Sequence, residues 1–165
     1  MGVDVKVTLP PDTRLQDVAD AIARLAGYPC TRHSIGENGQ WALHQKEVTA
    51  KGSIIPQMAY INWAWAGEPR SWSYHFEGKG GTRLLISRSR AVNIAVAKRL
   101  VDIFGGAADY NDSDGVDVDY HAPKPRPAND PEDGAAWQQL QQDLLDISPL
   151  TKQEVAQYQS VASYK

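Results

Sequence analysis

The chain opens with an alternation of apolar and polar residues that predicts a β-strand. Val3, Val5 and Val7 alternate with Asp4 and Lys6, which is the two-residue period of a strand with one buried face. Two prolines follow and end the strand, because proline lacks the N–H that strand pairing needs. The first element is therefore predicted to be a short strand whose valines face the core.

Two other stretches repeat apolar residues at steps of three and four, the period of an α-helix with one buried face. The first is predicted to end at Gly27 in a left-handed conformation. The second is predicted to begin at Ser89 as the N-cap and to end at Gly105. The predicted apolar stripes are Leu15, Val18, Ile22 and Leu25 in the first helix, and Val92, Val96, Leu100, Ile103 and Phe104 in the second.

Roughly residues 32–87 have the two-residue period of β-strands. Their aromatic residues are often two positions apart, which favours cross-strand pairing in an antiparallel meander. Between Ala107 and Tyr120, the turn Asp114-Gly115 separates two short alternating runs, which predicts a hairpin or one strand and a turn. The predicted fold class is α+β: an antiparallel β meander flanked by two strand–helix units, with the helices packed on one face of the sheet.

The C-terminal part combines a proline-rich segment with two predicted helices. Asp130 and Pro131 are a typical N-cap and first helical residue, and a second short helix is predicted after Pro149. We therefore expect a core domain at 1–120, a linker at 121–130 and a C-terminal helical arm at 131–165. Such an arm folds back on its own domain or packs on a second copy, and we expect a homodimer through it. The side chains predicted to face inward are Trp137, Leu140, Leu144, Ile147, Val155 and Tyr158.

Charge is distributed unevenly along the 165 residues. Residues 1–101 carry 13 Lys/Arg and 8 Asp/Glu, a balance of +5, whereas residues 102–165 carry 4 and 12, a balance of −8. This asymmetry indicates a charged partner or a second copy of the chain. The net charge of −3 argues against tight general binding to nucleic acid, which favours a basic domain.

Composition places the chain among ordinary cytoplasmic proteins. No apolar run approaches the roughly 20 residues that span a bilayer, so no membrane partner is expected. The N-terminus lacks the basic start and apolar block of a secretory signal. The single cysteine, Cys30, cannot form an internal disulfide, which fits a reducing compartment.

An aromatic and arginine-rich set in the basic part is the candidate site for a nucleotide or another anion. Aromatic rings stack on bases, and arginines hold phosphates or stack in turn. The favoured alternative is that the aromatic residues form the buried face of the sheet and the arginines its rim. The set consists of Trp63, Trp65, Trp72, Tyr74, Arg83, Arg88 and Arg90.

A cluster of aspartates in the predicted hairpin is the candidate protein-binding surface. Such acids also supply oxygen ligands for a hard cation, but their spacing does not fit an EF-hand, and a merely solvated acidic hairpin is a further alternative. No metal, no cofactor and no catalytic residue are assigned. The cluster consists of Asp109, Asp112, Asp114, Asp117 and Asp119.

Two segments carry a resemblance to a group of proteins. Residues 104–120, from Phe104 through Asp114-Gly115 to Tyr120, resemble a segment of small, uncharacterised bacteriophage proteins, and residues 3–10 are loosely similar. The resemblance implies a phage accessory protein in a bacterial cytoplasm, where many such proteins block host machinery, including antiviral defences, or sequester a signalling nucleotide.

These observations favour binding over catalysis. The first hypothesis is a non-enzymatic, phage-encoded protein that occupies or blocks a host protein, with the acidic surface imitating the charge of nucleic acid. The second is a nucleotide or oligonucleotide binder that uses the aromatic–arginine set. The third is a hydrolase with a carboxylate-bound metal.

Overall fold

The computed structural model describes residues 4–10, 13, 15–27, 60–65, 71–77, 83–86, 90–110, 119–123 and 134–162. Within these ranges the chain has an α+β fold, as the periodicity predicts. The strands predicted between residues 32 and 59 lie outside the described residues.

In the part of the chain that the structure describes, six strands form one sheet in which every neighbouring pair is antiparallel. The order across the sheet is β2-β3-β4-β1-β5-β6. The predicted meander is therefore confirmed as β2-β3-β4, and β1 lies between this meander and the β5–β6 hairpin. The strands are β1 Val5–Thr8, β2 Tyr60–Ala64, β3 Ser71–Glu77, β4 Arg83–Ile86, β5 Ala107–Asp109 and β6 Tyr120–His121.

The helices cover one face of this sheet. Val7 lies opposite Leu84 on one neighbouring strand and Ala108 on the other, and all three are fully buried. Thr8, the next residue along β1, is exposed. Helix α1 contacts β2, and α2 contacts β1 and β5. The helices are α1 Leu15–Ala26, α2 Ala91–Phe104, α3 Ala135–Leu145 and α4 Lys152–Ala156.

Helix α2 is more deeply buried than its predicted single stripe. Every residue from Ala91 to Ala97 is buried, including Asn93. The sheet covers one side of α2, and α1, α3 and α4 contact it elsewhere. The buried alanines of α2 have small side chains, which allow neighbouring helices to lie close to its backbone. The predicted apolar stripe of α2 is confirmed, but it does not include all of the buried residues. Helix periodicity does not reveal that α3 and α4, which come later in the chain, pack on a second side of α2.

Two predicted helix starts differ from the structure. Helix α2 begins at Ala91, with Arg90 rather than Ser89 in the N-cap position. Helix α3 begins at Ala135 and not beside Asp130, because its N-cap residue, Gly134, has a left-handed φ of 69°. A left-handed residue does not continue a right-handed helix toward the N-terminus, and glycine adopts this conformation without strain.

The C-terminal arm folds back on its own chain. The Leu150 N–H donates to the Leu25 carbonyl oxygen at 2.9 Å, and the Trp65 indole Nε1 donates to the Leu150 carbonyl oxygen at 3.2 Å. Gln141 Nε2 donates to Asp17 Oδ1 at 2.8 Å, which ties α3 to α1. The arm thereby adds to the common core the buried side chains of Leu144, Leu150, Val155 and Ala162.

The homodimer expected through this arm stays a prediction. The inward orientation expected of Val155 and Tyr158 is confirmed, since Val155 is buried and Tyr158 half-buried within the same chain. These apolar groups already serve the chain's own core, so a dimer through them requires exchange of the whole arm between copies.

Candidate functional site at the base of the β5–β6 hairpin

Two rings of the aromatic–arginine set predicted from sequence are buried in the core. Trp65 is 5% exposed and Tyr74 1% exposed, so neither ring is available to stack on a base. Tyr74 instead donates its hydroxyl hydrogen bond to Asn93 Oδ1 at 2.8 Å. For Trp65 and Tyr74, the structure supports the alternative that the aromatic residues form the buried face of the sheet.

The other members of the set are only partly described. Trp63 lies opposite Trp72 in the β2–β3 register, and Arg83 lies opposite Glu77 in the β3–β4 register. Arg90 is half-buried at the start of α2, and Arg88 lies outside the described residues. Their predicted role in binding a nucleotide or anion stays a prediction.

Folding brings cations of the basic part opposite acids. Lys6 lies directly opposite Asp109 in the β1–β5 register, as Arg83 does with Glu77 in the β3–β4 register. Opposite charges at such positions stabilise a sheet. Because Asp109 belongs to the acidic part of the sequence, the pairing of Lys6 with Asp109 partly balances the uneven distribution of charge within the chain.

The predicted aspartate cluster is divided by the fold. Asp109 is 5% exposed at the end of β5, so it belongs to the sheet and not to a free acidic surface. Asp119 is half-buried, and its Oδ2 accepts the Tyr110 N–H at 2.8 Å, which closes the base of the hairpin. Asp112, Asp114 and Asp117 lie outside the described residues, and their role as a protein-binding surface stays a prediction.

Beside the hairpin base, a lysine lies between two tyrosine rings. Lys98 Nζ on α2 is 4.6 Å from the centre of the Tyr120 ring and 4.9 Å from that of Tyr158. Both distances fall within the roughly 6 Å range of a cation–π contact. The Tyr120 hydroxyl donates to Asp102 Oδ1, one helical turn beyond Lys98. We call Lys98, Asp102, Tyr110, Tyr120 and Tyr158 the tyrosine–lysine cluster.

Two tyrosines of this cluster, Tyr110 and Tyr120, have a raised pKa. The hydrogen bond to Asp102, followed by burial, raises the pKa of Tyr120 to about 12. Burial, followed by the negative charge of Asp119, raises the pKa of Tyr110. At neutral pH both groups are therefore neutral phenols, able to donate and accept hydrogen bonds.

Helix α4 holds Tyr158 against α2. Arg99 forms a two-pronged ion pair with Glu154, with Nε–Oε1 at 2.6 Å and Nη2–Oε2 at 3.0 Å. This hydrogen-bonded pairing is the main cause that raises the pKa of Arg99. The Thr151 hydroxyl caps the helix by accepting the Glu154 N–H at 3.0 Å. Tyr158 is thereby placed two residues beyond the end of an anchored helix.

Sequence reasoning did not find this cluster. A partial signal existed, because Lys98 and Asp102 are four residues apart on one helix face, where opposite charges are often neighbours. No local pattern, however, links them to Tyr120 and Tyr158, which come from β6 and the arm. Only the packing of three distant segments places these side chains together.

A second surface feature lies on α3. The carboxamides of Gln138, Gln139, Gln141 and Gln142, together with Ala135, line an open depression. Gln141 is already used in the contact with Asp17, and Gln139 Nε2 donates to Asp143 Oδ1 at 3.0 Å. Among the described residues, the lining of this depression contains no aromatic or charged side chain, unlike the tyrosine–lysine cluster.

Comparison of the chain with protein-family models, with curated proteins and with solved structures gave no match. Within the described ranges, no three His, Cys, Asp or Glu side chains converge as metal ligands. None of the helices there combines the length and apolar character needed to cross a membrane.

Proposed function

We propose that the protein is a non-enzymatic binding protein that occupies a basic surface of a target protein. The contact surface consists of the tyrosine–lysine cluster and the acidic hairpin that begins beside it. The observation that carries this proposal is the approach of the Tyr120 and Tyr158 rings to one ammonium, beside the hairpin base where the Tyr110 N–H is bonded to Asp119.

Tyrosines in this arrangement suit a protein interface. They supply large, rigid contact area at low entropic cost and keep a hydroxyl for hydrogen bonds, and they are enriched in interface cores. All three are half-buried and thus already ordered by the fold. Val161, one turn beyond Tyr158, adds an apolar side chain that is 43% exposed.

The charge of this region favours a basic partner. Asp102 is exposed beside Tyr120, and the segment that joins β5 to β6 contains Asp112, Asp114 and Asp117 in sequence. Nearby, Arg99 is neutralised by Glu154. Complementary charge across an interface speeds association and orients the partners. An acidic surface of this kind can imitate nucleic acid toward a protein that binds it.

The resemblance of residues 104–120 to small bacteriophage proteins supports a host protein as the target. Under this proposal, the chain acts in the cytoplasm of an infected bacterium and blocks a host component, with antiviral-defence proteins among the candidates. The resembling segment includes β5 and the hairpin, which is the region assigned to binding.

The test compares capture of host proteins from a bacterial lysate at physiological salt by three forms of the chain. The first form is unchanged. The second carries Asp112→Asn, Asp114→Asn and Asp117→Asn in the hairpin. The control carries Asp130→Asn, Glu132→Gln and Asp133→Asn, which changes the net charge equally in another segment. We expect a protein that is retained by the unchanged chain and by the control but lost by the hairpin variant.

Two results would contradict the proposal. Equal retention by all three forms would remove the hairpin from the interface. Equal loss in both variants would show that total charge alone determines retention, without a defined surface. Circular dichroism of each variant establishes that the fold is intact before capture is compared.

A further inference from the structure

The most distinctive chemistry in the described part of the chain is the position of the Lys98 ammonium between two aromatic faces. We propose that the tyrosine–lysine cluster is a binding site for an alkylammonium group, filled by Lys98 in the free protein and by a lysine side chain of the target in the complex. The inference rests on the proposed function for the source of that lysine, but not for the existence of the site.

The geometry is that of an aromatic cation site. Two rings approach one ammonium at 4.6 and 4.9 Å, and quaternary or alkylated ammonium groups are recognised in cages of this kind. Asp102 accepts a hydrogen bond from Tyr120, which places a negative charge at the edge of the site. A cation is therefore favoured over a neutral group of the same size.

The rings are positioned independently of Lys98. Tyr120 lies opposite Ala108 in the β5–β6 register and is held by its bond to Asp102. Tyr158 is held by α4, which the Arg99–Glu154 ion pair fixes on α2. Because neither restraint involves the lysine ammonium, we expect the two rings to keep their separation when that ammonium leaves.

Lys98 itself is suited to exchange. It is half-exposed, and its ammonium sits on a flexible four-carbon stem. A cation–π contact near solvent contributes little net free energy, so replacement by an equivalent ammonium from outside is nearly balanced. The other contacts of the interface then supply the free energy by which the target's lysine displaces Lys98 from the site.

The experiment uses choline as the probe and its neutral isostere, 3,3-dimethylbutan-1-ol, as the control ligand. Each is titrated into the unchanged chain, Lys98→Met and Lys98→Arg, and the tyrosine ring resonances are followed by NMR. Methionine keeps an apolar stem but vacates the cation position, whereas arginine refills it. We expect choline to bind Lys98→Met about three- to fivefold more tightly than the other two proteins.

A further variant separates the site from a general effect of lost charge. Lys152→Met removes an exposed lysine on α4 and should bind choline no better than the unchanged chain. Adding Tyr158→Phe to Lys98→Met should keep choline binding, because the ring remains. Adding Tyr158→Leu should abolish it.

The outcomes are decisive in both directions. Choline binding gained only in Lys98→Met, and absent for the neutral isostere, supports the ammonium site even if no target is captured. No gain in a folded Lys98→Met protein, or an equal response to the isostere, would overturn the inference. If Lys98→Met fails to fold, Lys98 is a structural clamp and the inference is likewise overturned. None of these results depends on the capture experiment, so the two proposals fail separately.

Discussion

Replacing Leu150 with alanine tests whether the C-terminal arm is an integral part of the core. Leu150 is 5% exposed and belongs to the same apolar cluster as the sheet and α2. Its two long-range hydrogen bonds, to Leu25 and from Trp65, use backbone atoms of Leu150. Alanine retains both bonds, so the substitution isolates the contribution of the buried side chain.

The expected loss is about 3 kcal/mol in the free energy of unfolding. The removed carbons contribute about 2.4 kcal/mol of transfer free energy, at about 0.8 kcal/mol for each. The cavity left behind adds to this, and buried leucines lose about 2–5 kcal/mol in such substitutions. Leu150 belongs to the arm and is still 5% exposed, so its surroundings relax more easily than the centre of the core, which places the loss in the lower half of that range.

The assay is urea unfolding followed by tryptophan fluorescence and by circular dichroism. Trp65, one of five tryptophans, bonds to Leu150, so the fluorescence signal includes the arm contact, whereas circular dichroism reports on the helices as a whole. We expect one transition, coincident for the two signals, with its midpoint lowered by about 1 to 2 M urea.

Leu145→Ala is the matched control. Leu145 is 59% exposed, so the same chemical change should alter stability by less than about 0.5 kcal/mol. Equal effects at the two leucines would refute the assignment of Leu150 to the core. Two separate transitions, with only the first sensitive to Leu150→Ala, would show that the arm is an independently unfolding appendage.

Two further predictions concern a close backbone contact and a titrating phenol. Gly106→Ala should lower the free energy of unfolding by about 3 kcal/mol or more, because Gly106 has a φ of +95° and the added Cβ would lie 2.0 Å from the Thr8 carbonyl oxygen. Gly134→Ala is the control, because Gly134 has a φ of +69° and no atom lies within 4 Å of the added Cβ. This variant should lower the free energy of unfolding by only about 1 kcal/mol. Similar losses in thermal unfolding of the two variants would contradict the contact. Folding raises the pKa of Tyr120 from 10.0 to about 12, so the unfolded chain loses the phenol proton at a lower pH than the folded chain does. The contribution of Tyr120 to the free energy of unfolding is therefore complete below pH 10 and is lost as the pH rises toward 12. Asp102→Ala removes the hydrogen-bond acceptor and should return one tyrosine titration toward pH 10 by ultraviolet absorbance. An unchanged titration curve would rule out the hydrogen bond as the cause of the raised pKa.

The parts of the fold that the sequence predicts correctly depend on short-range pattern. The valine alternation of β1, the apolar stripes of α1 and α2, and the glycine that ends each of those helices all lie within one element. Each signal arises because an element must bury one face and terminate its own backbone hydrogen bonds. The β5–β6 hairpin was predictable for the same reason, since its two strands are close in sequence.

The errors concern positions where conformation depends on a single residue or on a distant element. The predicted start of α3 gave weight to Asp130 and Pro131, a favourable local pattern, but Gly134 takes a left-handed conformation and sets the start. Trp65 and Tyr74 were candidates for a ligand surface, and both lie in the core. Periodicity places such residues on a face but does not say which face the helices cover.

By itself, the sequence determined the class of fold, the order of its principal elements and the uneven distribution of charge, because these follow from local periodicity and composition. Tertiary structure alone decided that the arm completes the core. It also decided that Lys6 lies opposite Asp109, that Arg99 pairs with Glu154, and that Lys98 contacts the rings of Tyr120 and Tyr158. The physical reason is that these contacts join segments far apart in the chain, and their geometry is fixed only when the helices pack on the sheet.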